Sequence, residues 1–500
     1  MNALLPLFHN GEPLILAEVP SFSVGEFRAK IISAVQGGAR LTALFGVPDD
    51  NARIQLFGVL ATSATGTLSA LRTEVNKAYP ALTVDCPQAH WFEREIAEQW
   101  SVEPRGHPWL KPIRFHPSYN SSETAQNELP GVTDFFKVDG DEIHEVAVGP
   151  VHAGIIEPGH FRFQCHGERV LHLEISLGYQ HRGVEAALAK GPHKRTIHMI
   201  EALAGDSSIG HATAYCEAIE GLSRTKVPAR ALVLRGVALE LERLANHAGD
   251  LGALAGDVGY LPTAAYCGRI RGDFLNLTAA VCGNRFGRGM IRPGGVSFDV
   301  DAKLVDEIAR RLDGALNDLE SATRLMWDAP SVQARFEETG AITSRACEEL
   351  GLVGPVARAC GVARDVRIDF PSGMFTSVRI PVSKWNTGDV FARAWVRWLE
   401  IQRSVAFVRE QLASLPESRS IVPVGPLSRS HMVVTLTEGW RGEIVHIGIT
   451  DDYGRFVTYK IVDPSFRNWM GLALAMRNQQ ISDFPLCNKS FNLSYCGHDL

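Results

Sequence analysis

The stretch Ser118-Tyr-Asn-Ser-Ser-Glu-Thr-Ala-Gln-Asn-Glu-Leu-Pro-Gly131 constrains this chain most, because the hydrophobic period changes across it. It is polar and turn-rich, with almost nothing to bury, and so reads as a linker. Before it, short apolar runs such as Leu41–Phe45 and Ile54–Leu60 suit strands bounded by turns. A helix is expected over Thr67–Tyr79 and another over Trp91–Trp100. After it, strands return around Val146–Val151 and Val170–Ile175, and beyond Arg182 the period becomes helical. Val233, Val237, Leu241 and Leu244 recur at three- and four-residue steps. So do Leu304, Ile308, Leu312, Leu316 and Leu319, and then Val390, Ala394, Trp398, Ile401 and Val405. Several long amphipathic segments in one region imply a helical bundle with a shared core. Residues 431–463 alternate again, and two strands joined at Asp451-Asp-Tyr-Gly454 are expected. The expected organisation is α+β. A small α/β domain spans 1–118, a linker 119–134, and a second domain 135–500, in which a helical bundle is flanked by small β-sheets.

Composition excludes several classes of function. Of 500 residues, 50 are basic and 56 acidic, a formal charge of −6, so no basic excess is available to neutralise nucleic-acid phosphates. Hydrophobic residues at 45% and charged residues at 21% describe a folded globular protein. No apolar run reaches the roughly 18 residues that a membrane span needs. The opening MNALLPLFHNGEP has no basic n-region, which argues against a signal peptide. The nine cysteines are an odd number with no CxxC spacing, which argues against a disulfide framework or a cluster ligated by this chain alone. Buried, inert thiols are expected.

The chemistry-bearing residues are uneven. His144, His152, His160, His166, His172, His181, His193, His198 and His211 crowd one region. Imidazole exchanges protons near neutral pH and binds metals, so the crowding suggests a proton path or a metal site; surface histidines at strand and helix ends are the stronger explanation of the crowding alone. The dinucleotide fingerprint, the P-loop, the nucleophile elbow and the HExxH helix are absent, which argues against nucleotide bound by this chain.

Eight short motifs, in order, carry a resemblance. His90-Trp-Phe-Glu-Arg-Glu-Ile96 and Arg105-Gly-His-Pro-Trp-Leu-Lys-Pro-Ile-Arg114 resemble the small C-type subunit of the complex I peripheral arm. Gly149-Pro-Val-His152 with Glu157-Pro-Gly-His160, and Tyr179-Gln-His-Arg-Gly-Val-Glu185, resemble the D-type subunit of complex I and the large subunit of membrane-bound [NiFe] hydrogenases. Leu239–His247, Gly354–Gly361 with Arg364–Arg367, Arg441-Gly-Glu443 and Asp463–Asn468 continue the match. A C-type module fused to a D-type module is similar to the hydrogenase-4 and formate hydrogenlyase large subunits.

The resemblance implies a subunit of a membrane-associated oxidoreductase complex. It would receive electrons from a [4Fe-4S] cluster on a small iron–sulfur partner, beside a quinone-type cavity. The chain itself would hold no cofactor, any NADH site would be on another subunit, and the assembly would lie on the cytoplasmic face of the cell membrane. By local alignment, the two CxxC pairs that hold nickel and iron fall on Ala204 and Ser207 and on Ser494 and Gly497, so no metal centre is expected. Asp206 and Ser207 would occupy the vacated pocket. The quinone-binding histidine and its aspartate partner map to His160 and Asp257, and the second quinone ligand, a tyrosine, to Gly205. Glu185 matches a proton-passing glutamate. A scaffold without chemistry of its own, or a hydrogenase with unusual ligands, are the alternatives.

Overall fold

A computed structural model describes residues 5–49, 53–119, 129–152 and 156–500. The middle of the expected linker lies outside them. The fold is α+β, helices mixed with small and mostly antiparallel sheets.

In the first part, strands Arg40–Pro48, Ile54–Thr62 and Thr67–Val75 form an antiparallel meander. The helix Val24–Gln36 lays Phe27 and Ile31 into its core, and a capping box of Ser23 and Glu26 sets its start. The helix expected at Thr67–Tyr79 is not formed. Leu68, Leu71 and Val75 are spaced three and four apart, which suits a helix, but this segment pairs from Thr62↔Thr67 to Ile54↔Val75 with the preceding strand. Partnering with a neighbouring strand outweighs a weak local periodicity. The helix expected at Trp91–Trp100 is present as His90–Trp100.

Beyond the linker, strands Ile143–Val148, His160–His166 and Arg169–Ser176 form a three-stranded sheet. The bundle is built around the helix Ala229–Asp257, which packs against Leu261–Cys282 and Val390–Ala413 and is buried over most of its length. Helix Ala302–Trp327 packs on Leu261–Cys282, and Ser208–Ser223 lies against the last sheet. That sheet contains His431–Gly439, Gly442–Thr450 and Phe456–Val462, one strand more than expected. The Asp451–Gly454 turn joins the last two.

The sheet's fourth strand comes from the opposite end of the chain: Pro13–Ile15 pairs with His431–Val433. A buried ion pair and a buried hydrogen bond add to this joint. Arg40 Nη1 donates to Glu443 Oε1 at 2.5 Å, and Arg467 Nη1 donates to the Leu41 carbonyl at 2.9 Å. All nine cysteines are free thiols and eight are buried, as expected.

Candidate functional site

His160 opens the central strand of the three-stranded sheet and is buried. Its Nδ1 lies 3.1 Å from the Gly149 carbonyl, so that nitrogen carries the proton. Nε2 is then the acceptor of a neutral ring, and it is buried with no protein partner. Burial lowers the pKa of this imidazole, partly opposed by the Gly149 contact, which holds it neutral at pH 7. Asp257 ends the long helix, where the negative end of the helix dipole disfavours a carboxylate. Lys489 compensates through an ion pair to Oδ1, and Oδ2 is left without a protein partner.

The expected direct pairing of His160 with Asp257 is not formed, since each is held by another group. Lys489, on the helix Phe484–Phe491, holds Asp257, while the His160 ring lies 5.2 Å from the Phe135 ring. Each of the two residues therefore presents one unpaired polar atom. Gly205 has no hydroxyl to offer.

Glu185 sits in the first turn of the short helix Val184–Leu188. Its Oε1 accepts from the Ile461 N–H at 2.9 Å and from Lys460 Nζ at 3.0 Å. Lys460 is buried and also donates to Glu95 Oε1 at 2.6 Å, and Arg114 joins the same carboxylate. Burial alone would raise the Glu95 carboxyl, but Lys460 and Arg114 outweigh it and hold it down at about 2. Glu185 is thus one end of a buried charged string between the two parts of the chain.

The loop before helix Ser208–Ser223 carries Ala204, Asp206 and Ser207. Arg441 clamps Asp206 in a two-pronged pair, Nη1–Oδ1 at 2.5 Å and Nη2–Oδ2 at 2.8 Å, and stacks over Trp440. Trp440 Nε1 and Asn246 Nδ2 donate to the Asp206 carbonyl. Asp206 is therefore satisfied by a guanidinium rather than open to a cation. Across the pocket, Ser494 caps the turn Tyr495–His498 by accepting from the Gly497 N–H at 2.9 Å. A Cβ at Gly497 would lie 2.6 Å from Asp463 Cγ, so a cysteine there collides with Asp463. The residues present do not fit a nickel–iron centre. Among the described residues, no group of three or more His, Cys, Asp or Glu side chains is arranged to hold a metal.

Asp463 also ends a buried hydrogen-bonded chain that the sequence did not reveal. His211 Nε2 lies 3.1 Å from Asp463 Oδ2, His211 Nδ1 lies 3.1 Å from His446 Nε2, and His446 Nδ1 lies 3.0 Å from the Tyr459 hydroxyl. One tautomer set satisfies all three bonds. Tyr459 donates to His446, His446 to His211 and His211 to Asp463, with both rings neutral. The motifs Arg441-Gly-Glu443 and Asp463–Asn468 pointed to this region, but nothing in their spacing gave the partners on other elements.

Two family models match the chain. Respiratory-chain NADH dehydrogenase, 30 Kd subunit, matches residues 29–127, and the 49 Kd subunit matches residues 257–430. The carbon monoxide-induced hydrogenase of Rhodospirillum rubrum is 31% identical over 351 residues, 70% of this chain and 97% of that protein. The chain belongs to the family of complex I and membrane-bound hydrogenase large subunits. Formate hydrogenlyase subunit 5 of Escherichia coli (strain K12) is 26% identical and covers both parts, 92% of this chain and 84% of that one. NADH-quinone oxidoreductase subunit 4 of Thermus thermophilus is 28% identical over 68% of this chain and 90% of its own length. Among the described residues no helix is long and apolar enough to cross a membrane.

Proposed function

We propose that this chain is the subunit of a membrane-associated oxidoreductase complex at which electrons from a partner's [4Fe-4S] cluster meet a quinone-type acceptor beside His160. The chain's own contribution is proton handling. The observation that carries this reading is the buried, unpaired Nε2 of His160, on a ring fixed by Gly149. A neutral imidazole with a free acceptor nitrogen takes the proton of a hydroxyl, so the resting ring suits a hydroquinone; the protonated ring would bind the quinone carbonyl. Asp257 Oδ2 is a second unpaired group that an incoming ligand satisfies. Glu185 lies on the buried charged string through Lys460 and serves as a relay end.

The purified complex titrated with a quinone analogue tests this. His160→Ala is expected to slow quinone-linked reoxidation of the partner cluster by about a hundredfold, the usual worth of a positioned acid–base group. Cluster reoxidation that does not depend on quinone, or that is unchanged in His160→Ala, overturns the reading.

A specific observation favours a second reading, a scaffold without chemistry. The pocket at Ala204–Ser207 and Ser494–Gly497 is filled by Arg441–Asp206 and by Asp463, and Gly205 has no hydroxyl. A scaffold is expected to keep the complex's activity when His160, Asp257 and Glu185 are changed together, and to lose assembly when the subunit is deleted. Stoichiometric nickel in the isolated complex would overturn both readings in favour of a hydrogenase with unusual ligands.

A further inference from the structure

We propose that a proton inlet runs along the buried face of helix Ser208–Ser223, from a surface cleft at Glu217 to the carboxyl of Glu242 beside Asp206. Glu217 stands where an open cleft and a small inner cavity meet, and its carboxylate lines both. Ser372 Oγ, on the mouth, lies 3.0 and 3.1 Å from the two Glu217 oxygens. The inner cavity admits water and nothing larger. Thr213 and Thr437 line it; both side chains are more than nine-tenths buried and neither hydroxyl has a protein partner. Unpaired hydroxyls in the interior are costly, so this cavity is built for water.

Helical spacing gives the direction. Thr213 is four residues before Glu217, and Ile209 and Gly210 come four and three before Thr213, so these positions share a face. The Ile209 and Gly210 N–H groups donate to the Glu242 carboxylate at 2.7 and 3.2 Å. The span from Glu217 to that carboxylate is about 10–12 Å at ~1.5 Å rise per residue. Thr213 stands partway along it, between the cavity at Glu217 and the N–H groups that hold Glu242.

The surrounding charges suit proton transfer. Arg235 and Glu220 face Glu217, Arg367 and Glu438 stand on the inner cavity wall, and His9, Arg224 and Lys226 line the outer cleft. Asp206 and Arg243 face Glu242. Burial pushes the Glu217 carboxyl up to about 7, with Arg235 opposing. Burial pushes Glu242 up to about 8, against its two backbone hydrogen bonds. Both groups thus exchange protons near neutral pH. A proton from the cleft protonates Glu217, each water or hydroxyl along the way accepts one proton and passes one on, Glu242 ends protonated, and Glu217 returns to its carboxylate.

This deepens the proposed function by naming the proton supply, and rests on that reading only for the use of the proton. The test is infrared difference spectroscopy of the full chain between about pH 5 and pH 9, in water and in heavy water, spanning the values near 7 and 8. Two protonated-carboxyl bands should titrate, one lost in Glu217→Gln and the other in Glu242→Gln. Thr213→Val should keep both bands and slow hydrogen–deuterium exchange of the Glu242 band at least tenfold. If neither Gln variant removes a band, or if exchange in Thr213→Val runs at the wild-type rate, the inlet is wrong. These readouts need no quinone, so failure of the quinone reading leaves them intact. Circular dichroism identifies any variant that fails to fold, and Thr213→Val, which keeps shape and loses only the hydroxyl, then decides.

Discussion

At the scale of single residues, buried charges dominate. Lys460 neutralises two carboxylates, Glu95 and Glu185, that burial would otherwise disfavour. Lys460→Met should therefore destabilise the chain by about 3–5 kcal/mol, because it strands buried anions; denaturant titration measures this. Linkage gives opposite signs for two glutamates. Glu95 is held at about 2 in the fold against 4.5 as a free side chain. Its contribution is present above about 4.5 and is lost as pH falls toward about 2. Glu242 is raised to about 8, so it costs stability progressively as pH rises from about 4.5 to about 8. Glu242→Gln should flatten the fall in melting temperature across that window. An unchanged slope would show that Glu242 ionises normally.

At the scale of elements, the long helix Ala229–Asp257 and the last hairpins set most of the geometry. Leu244 is fully buried on that helix, whereas Leu261 on the next is 67% exposed. Leu244→Ala should cost about 2–5 kcal/mol, and Leu261→Ala within about 0.5 kcal/mol, both read from unfolding midpoints. The chain from Tyr459 to Asp463 joins the helix Ser208–Ser223 to two strands of the C-terminal sheet. His446→Phe leaves His211 Nδ1 and the Tyr459 hydroxyl without partners, and should cost about 1–3 kcal/mol for each group left unsatisfied. The misread segment Thr67–Val75 belongs at this scale too. Its apolar spacing suits a helix, and only pairing with the adjacent strand Ile54–Thr62 overrides it.

At the scale of the whole molecule, the two parts are locked together rather than tethered. Strand Pro13–Ile15 completes the C-terminal sheet, and Arg40–Glu443, Arg467 to Leu41 and Lys460–Glu95 cross the joint in buried surroundings. Replacing residues 120–128 with a protease recognition sequence and cutting there should leave two fragments that co-elute in size exclusion and unfold in one transition. Fragments that separate without denaturant would refute this interlock.

The sequence alone determined the element types wherever period and length agreed: the bundle helices, the meander's first two strands, the last hairpin and the buried thiols. Local periodicity is enough there, because a sustained apolar stripe has one low-energy way to be covered. Its ordered motifs also carried the family resemblance and marked His160, Asp257 and Glu185. What those side chains touch was decided only by tertiary structure. Lys489 at Asp257, Arg441 at Asp206, Lys460 between Glu95 and Glu185, and Asp463 in the space a residue at 497 would need all come from segments far away in the chain. A buried charge selects its partner by distance after the fold closes, and no spacing along the chain encodes that distance.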